Sequence, residues 1–411
     1  MTTLHERLDA WVDAHFDEQV RFLQELIRVP TDTPPGDNAP HAERTAELIR
    51  AFGFEAEKHA VPAGEVKDRG LESITNLIVR RRYAGKGPTL ALNAHGDVVP
   101  PGQGWTKPPY EGFIEDGRIY GRAAAVSKSD FSTYVFAVRA LESLQMPLAG
   151  SIELHFTYDE EFGGELGPAW LLRQRLTRPD MVIGAGFSYQ IVTAHNGCLQ
   201  MEITVHGKMA HAAFPDTGVD ALQGALGILA ALYAQNAQYR LITSGVPGIT
   251  HPTLVVGRIE GGTHTNVVPG KVVFKLDRRM IPEENPAEVE ARIRAVVAEA
   301  AGRSAGIAAD VRRILLAHSL KPLPANQPMV SALQKHAEAV FGERIPVCGT
   351  PLYTDARLYC EAGIPAVLYG AGPRTVSESH AKRADERLEL QDLRRATKVI
   401  ARACADLLGA G

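Results

Sequence analysis

The 411-residue sequence is poor in cysteine: Cys198, Cys348, Cys360 and Cys404 lie far apart, with no CxxC pair. This excludes a disulfide-stapled scaffold and a cysteine-based zinc module, and it fits a reduced, cytoplasmic protein. Long apolar runs are also missing. No window approaches the roughly 18 uncharged apolar residues of a membrane span, because His, Arg or Gly breaks the longest stretches. Positive charge is not in excess. The 44 Lys and Arg stand against 48 Asp and Glu, a formal net charge of -4, so nucleic acid is not an expected partner. Met1 to Gln19 is polar and charged, which predicts no signal peptide. No internal repeat is visible, and the 38 glycines follow no collagen period.

What remains is an ordinary globular balance, 45% hydrophobic and 22% charged, long enough for two or three domains. Apolar residues at helical spacing predict a helix or helix pair over Leu4 to Val29 and a helix over His41 to Phe52. Ser73 to Arg82 and Pro88 to Ala94 read as strands joined in a hairpin through Tyr83-Ala-Gly-Lys-Gly. A helix over Ser129 to Leu144, a strand over Ser151 to Thr157, a helix over Leu166 to Leu176 and a strand from Met181 continue an α/β rhythm. Near Thr193 the order becomes strand, helix, two strands, helix, strand, ending at Leu316, which predicts a compact inserted α+β sandwich. The α/β rhythm returns after Pro324 and ends in a helix over Gln391 to Leu408.

Two segments could carry chemistry. In Ala91-Leu-Asn-Ala-His-Gly-Asp-Val-Val-Pro100, a buried strand ends in His95, and Asp97 follows at i+2 on the same side of an extended chain. A carboxylate there can orient an imidazole at a metal site, although a core His beside a turn Asp has the same pattern. In Thr157-Tyr-Asp-Glu-Glu-Phe-Gly-Gly164, three successive acids end an apolar strand. Buried acids are costly unless they meet a cation or a wet cleft, and strand ends of open α/β sheets are where ligands bind. One Glu can hold a metal while its neighbour moves protons.

Together these segments resemble the M20 family of metallopeptidases and amidohydrolases. The resemblance extends to Trp105, Pro108-Pro109-Tyr110, Tyr120-Gly-Arg122, Val205-His-Gly-Lys-Met-Ala-His-Ala-Ala-Phe-Pro215, Gly261-Gly-Thr-His-Thr-Asn-Val-Val-Pro269, Tyr353-Thr-Asp-Ala-Arg357 and Ile364-Pro-Ala-Val-Leu-Tyr-Gly370. It implies a zinc-peptidase-like α/β catalytic domain over residues 1–192 and 318–411. A ferredoxin-like lid over 193–317 is implied to form a homodimer through its edge strand and helix. The implied activity is metal-dependent hydrolysis of the amide bond in a small N-acylated amino acid or peptide. His95 and Glu161 are then metal ligands, Asp97 the carboxylate that orients His95, and Glu160 the general base. His211, reaching across a dimer, stabilises the oxyanion. Asn266, Arg279 and Arg357 hold the substrate, as the planar guanidinium suits a carboxylate; a surface ion pair is the other reading of each arginine. His264, beside Asn266, could line the cleft.

The sequence departs from the family where the metals bind. Val126, in Gly121-Arg-Ala-Ala-Ala-Val-Ser-Lys128, stands where the bridging Asp is expected, and Ile183-Gly-Ala-Gly-Phe187 lacks the expected acid. The last ligand should be a His about four residues before Glu386. That position is Lys382, and His380 would need a two-residue shift to serve. Two hard cations need a shared anionic ligand, so one divalent ion, zinc by expectation, is anticipated rather than two, or none at all. Lys128 could fill the vacated charge space beside Asp159 to Glu161. Asp130 reads as an exposed helix acid, and Ser127 with Lys128 suggests a nucleophile pair. A catalytically silent binding protein is the rival reading.

Overall fold

Leu77 to Val79 and Leu90 to Leu92 are continuous apolar runs, and each is fully buried. Strands of this kind need partners on both edges and cover on both faces. In a computed structural model of the chain, which describes residues 3–145 and 147–409, that need decides the pairing. Ser151–Thr157 inserts between the two runs, antiparallel to Thr75–Arg82 and parallel to Thr89–His95. The expected hairpin between those strands therefore does not form, and Tyr83 to Pro88 is a crossover connection.

The chain divides into two compact units, one of Met1–Thr193, Pro322–Cys348 and Thr354–Gly411, the other of Ala194–Lys321 and Gly349–Tyr353. The first is built on an eight-stranded mixed sheet. From one edge its strands are Ala56–Ala60, Thr75–Arg82, Ser151–Thr157, Thr89–His95, Met181–Gly184, Ala366–Leu368, Ile191–His195 and Val347–Thr350. The four central strands from Ser151–Thr157 to Ala366–Leu368 are mutually parallel. Helix Lys128–Ser143 is buried along most of its length and packs with Leu390–Leu408, which also meets Gln327–Phe341. The N-terminal periodicity resolves into two helices, Leu4–Ala14 and Phe16–Ile27. Thr3 caps the first with a reciprocal bond to Glu6.

The second unit runs strand Gly197–His206, helix Ala221–Tyr239, strands Thr253–Gly261 and Lys271–Met280, helix Pro286–Gly302 and strand Ala308–Ala317. Its antiparallel sheet has Gly197–His206 between Lys271–Met280 and Ala308–Ala317, with Thr253–Gly261 at the far edge. This is the split βαβ, ferredoxin-like arrangement. Asp220 and Asn285 cap the two helices through their side chains. Among the described residues no helix is long and apolar enough to cross a membrane.

Candidate active site

The parallel register sets His95, the last residue of its strand, beside Thr157, the last of the neighbouring strand. The chain leaving Thr157 then turns sharply as a single 3₁₀ turn over Glu160–Phe162. Gly163 and Gly164, with φ of 100° and 72°, make that turn possible. A side chain at Gly164 would also collide with the Asp355 carboxylate.

Asp97 ties the turn to the imidazole. Its carboxylate accepts the backbone N–H groups of Glu160 at 3.2 Å and Glu161 at 2.9 Å. Its carbonyl oxygen lies 3.0 Å from His95 Nδ1, and its carboxylate 3.4 Å from the same nitrogen. With Nδ1 engaged there, Nε2 is the ring nitrogen turned toward the acidic turn. It faces Glu160 Oε2 across 3.9 Å. Glu161 turns instead to Lys382, whose Nζ lies 2.6 Å from Oε2.

Charge is concentrated here. Burial raises the Glu160 carboxyl to about 7, with Glu161 and Asp97 adding to the rise and His95 and Lys382 opposing it. Burial and Asp97 raise Asp159 to about 7 as well. Asp355, buried and close to Glu160 and Asp159, is raised well above the usual carboxylate range. Burial works against a charged His95, but the carboxylates of Glu160, Asp97 and Glu161 outweigh it and lift the ring to about 10.

The surrounding loops fix these groups. Ser127 Oγ accepts the His95 N–H at 3.1 Å and donates to the His95 carbonyl at 2.9 Å, so the hydroxyl braces the strand end. Lys128 Nζ donates to the Val29 carbonyl at 2.8 Å. The nucleophile pairing of these two residues is not formed, and Lys382, not Lys128, meets the acidic turn. Asp130, expected to be exposed, is buried and accepts the Ala371 N–H at 2.7 Å. Arg357 is buried, its guanidinium bonded to the Gly163 carbonyl and to Glu361, so the structure places it beneath the turn. His380 Nδ1 lies 3.2 Å from the Ala384 carbonyl and 3.4 Å from Arg387. Two groups receive no role from the sequence alone. Asp355 is one; its signal was an acid inside the quoted Tyr353 to Arg357 motif. The other is the buried pair of Arg122 and Glu386, 2.6 Å apart. Glu386 also accepts the Ala125 N–H at 3.1 Å and so anchors the loop that carries Val126 and Ser127.

In the second unit, Ala210–His211 pairs with Val267–Val268 and brings His211 near Asn266, whose carbonyl accepts the Ala212 N–H at 2.9 Å. His211 is exposed, and its Nδ1 accepts the Ala213 N–H at 3.0 Å, which leaves Nε2 to carry the ring proton. His264 Nδ1 lies 3.0 Å from Asn266 Oδ1. Arg279 is half-buried, pairs with Asp277 at 2.7 Å and sits 5.6 Å from the centre of the Tyr353 ring.

Among the described residues, the one trio of metal-type donors that already converges is elsewhere: His5, His336 and Asp406. There Lys335 lies 2.7 Å from the same Asp406 carboxylate.

Comparison with known proteins agrees with the resemblance. The chain is 29% identical over 393 residues to the succinyl-diaminopimelate desuccinylase of Methylobacterium nodulans, covering 93% of this chain and 94% of that protein. Its fold matches the M20 family metallo-carboxypeptidase Sso-CP2 of Sulfolobus solfataricus with a TM-score of 0.77 at 20% identity, over 94% of this chain and 98% of that one. It also matches YXEP of Bacillus subtilis, described as a dinuclear metal binding peptidase, with a TM-score of 0.68 at 18% identity, over 96% and 99%. The model of peptidase family M20/M25/M40 matches residues 91–406, which include His95, the acidic turn and Lys382, and the chain belongs to that family.

Proposed function

We propose that this chain hydrolyses the amide bond of a small N-acylated amino acid or peptide, and that the reaction centres on Glu160. The observation that carries this reading is a buried carboxylate with its pKa raised to about 7, set at the end of parallel strands and facing an imidazole that Asp97 orients. A general base works best when its pKa lies near the working pH.

A divalent ion, which the family implies, suits these residues once. His95 Nε2 is turned toward the acidic turn, 3.9 Å from Glu160 Oε2, and an imidazole beside carboxylates is a donor set that would suit a zinc-type ion. The expected bridging donor is replaced by Val126, and Glu161 is held by Lys382. His95 and the Glu161 carboxylate would hold the ion, for which zinc is our assignment, with Glu160 beside them kept for the proton. When bound, it supplies polarisation of the amide carbonyl and a more acidic water.

The chain's own groups do the rest. Glu160 takes the proton of the attacking water and returns it to the leaving amine. Asp97 keeps His95 in one tautomer and one orientation. The His211 Nε2–H is suited to a developing oxyanion. Asn266 and Arg279 are assigned to the substrate's polar ends, and Arg357 to the support of the turn.

We also propose a cytoplasmic homodimer. The helix Ala221–Tyr239 exposes Leu222, Leu226 and Tyr233, and the edge strand Thr253–Gly261 exposes Val255 and Ile259. An apolar helix face and strand edge of this kind fit a second copy of the chain.

The test is turnover of N-succinyl and N-acetyl amino acids and dipeptides by zinc-loaded protein. Glu160→Gln is expected to lower kcat by about 10²–10⁴-fold with the fold intact. Because the base must be unprotonated, kcat/KM should fall as the pH drops and the Glu160 carboxylate takes up its proton, and Glu160→Gln should lack that acid limb. A fully active Glu160→Gln rejects the assignment.

A further inference from the structure

The acidic turn is crowded with carboxylates. Asp97, Asp159, Glu160, Glu161 and Asp355 influence one another electrostatically, and all but Glu161 are buried. Such a cluster requires cations close by. The lysine that reaches this turn is Lys382, its Nζ 2.6 Å from Glu161 Oε2. The Lys382 side chain is 54% exposed and meets the 7%-exposed Glu161 carboxylate from the solvent side, but its backbone is fixed. Its loop contains three non-glycine residues in the left-handed region, His380, Lys382 and Asp385, with φ of 52°, 62° and 55°. That conformation is unfavourable for residues with a Cβ and persists where surrounding contacts enforce it. Here the contacts are visible. Asp385 accepts the Thr106 N–H at 2.8 Å and its hydroxyl at 2.9 Å, and Glu386 is clamped by Arg122 at 2.6 Å. A loop fixed at its end in this way delivers the ammonium to Glu161. Opposite the missing donor, Val126 packs against an apolar cluster that includes Ala124, Ala125 and Leu388.

We propose that the Lys382 ammonium is the resident cation of this site, held on Glu161 in the place of a second metal ion, so that the site accepts no more than one divalent ion. The lysine fixes Glu161 and offsets the carboxylates around His95 and Glu160. It is a positioning residue; it acts through Glu161. The inference rests on reading this cluster as the active site, and metal content tests it separately from turnover.

The experiment is metal titration by calorimetry and elemental analysis on chelator-stripped full-length protein, using zinc and manganese alone. A His5→Ala background removes the other converging donor trio. The unaltered site is expected to bind at most one equivalent, and Lys382→Arg to behave the same way. Lys382→His and Lys382→Gln should each take up one equivalent more, and a crystal of Lys382→His soaked in zinc should show that ion on Glu161. Two equivalents bound with Lys382 intact would overturn the proposal, whatever the variants do. So would Lys382→His and Lys382→Gln proteins, shown folded by circular dichroism, that bind no more than the Lys382 form. Absence of amide hydrolysis with the expected metal counts would strike the hydrolase reading and leave the lysine's role standing.

Discussion

Asp97 shows how much a single side chain can organise. Its two carboxylate oxygens hold the N–H groups of successive glutamates, and its backbone oxygen sets the tautomer of His95. Removing the carboxylate releases both glutamate N–H groups and takes away the second acceptor near His95 Nδ1, at 3.4 Å. Asp97→Ala should therefore weaken metal binding by about 10–100-fold, in line with the loss of other groups that orient metal ligands. Calorimetry with zinc checks this, and an unchanged affinity would mean that the imidazole is held by something else. The hydrogen-bond direction at His211 has the same logic. The Ala213 N–H occupies Nδ1, so only Nε2 can donate outward.

The loop and strand contacts explain which parts of the fold could be anticipated. Helices such as Leu390–Leu408 announce themselves through a local 3.6-residue period, and the predicted start at Gln391 is off by a single residue. Strand order carries no local signature. Thr75–Arg82 and Thr89–His95 are separated by a turn-rich stretch, but the strand between them comes some 60 residues later. Strands as short as Arg118–Tyr120 and Arg387–Glu389 have too few residues to display alternation, and they were not anticipated. His95 and the acidic turn were legible because each is a compact motif. The partner of Glu161 was not, because Lys382 lies 221 residues away and only the loop's long-range anchors bring it in. Those anchors have a measurable cost when broken. Arg122→Met leaves the Glu386 carboxylate buried without its cation and should destabilise the first unit by about 3–5 kcal/mol. Urea denaturation reports that difference, and a loss below about 1 kcal/mol would show that Glu386 is neutralised in another way.

The two units differ in what they leave uncovered. The inserted ferredoxin-like unit exposes Leu226 at 58% and Val255 at 57%, large fractions for apolar side chains. Leu226→Lys combined with Val255→Lys should shift the protein from dimer to monomer in light scattering, with the secondary structure unchanged. A wild-type protein that is already monomeric at micromolar concentration would remove the dimer from the functional reading.

The pairing of Lys382 with Glu161, alongside an apolar Val126, also constrains how this site can be altered. Val126→Asp alone would add one more anion to a crowd of them, with no partner waiting. Lys382→His alone would strip away the positive charge while the bridging oxygen was still absent. A pair of ions sharing a bridging carboxylate would need both replacements together, so the chemistry of position 126 is tied to that of position 382.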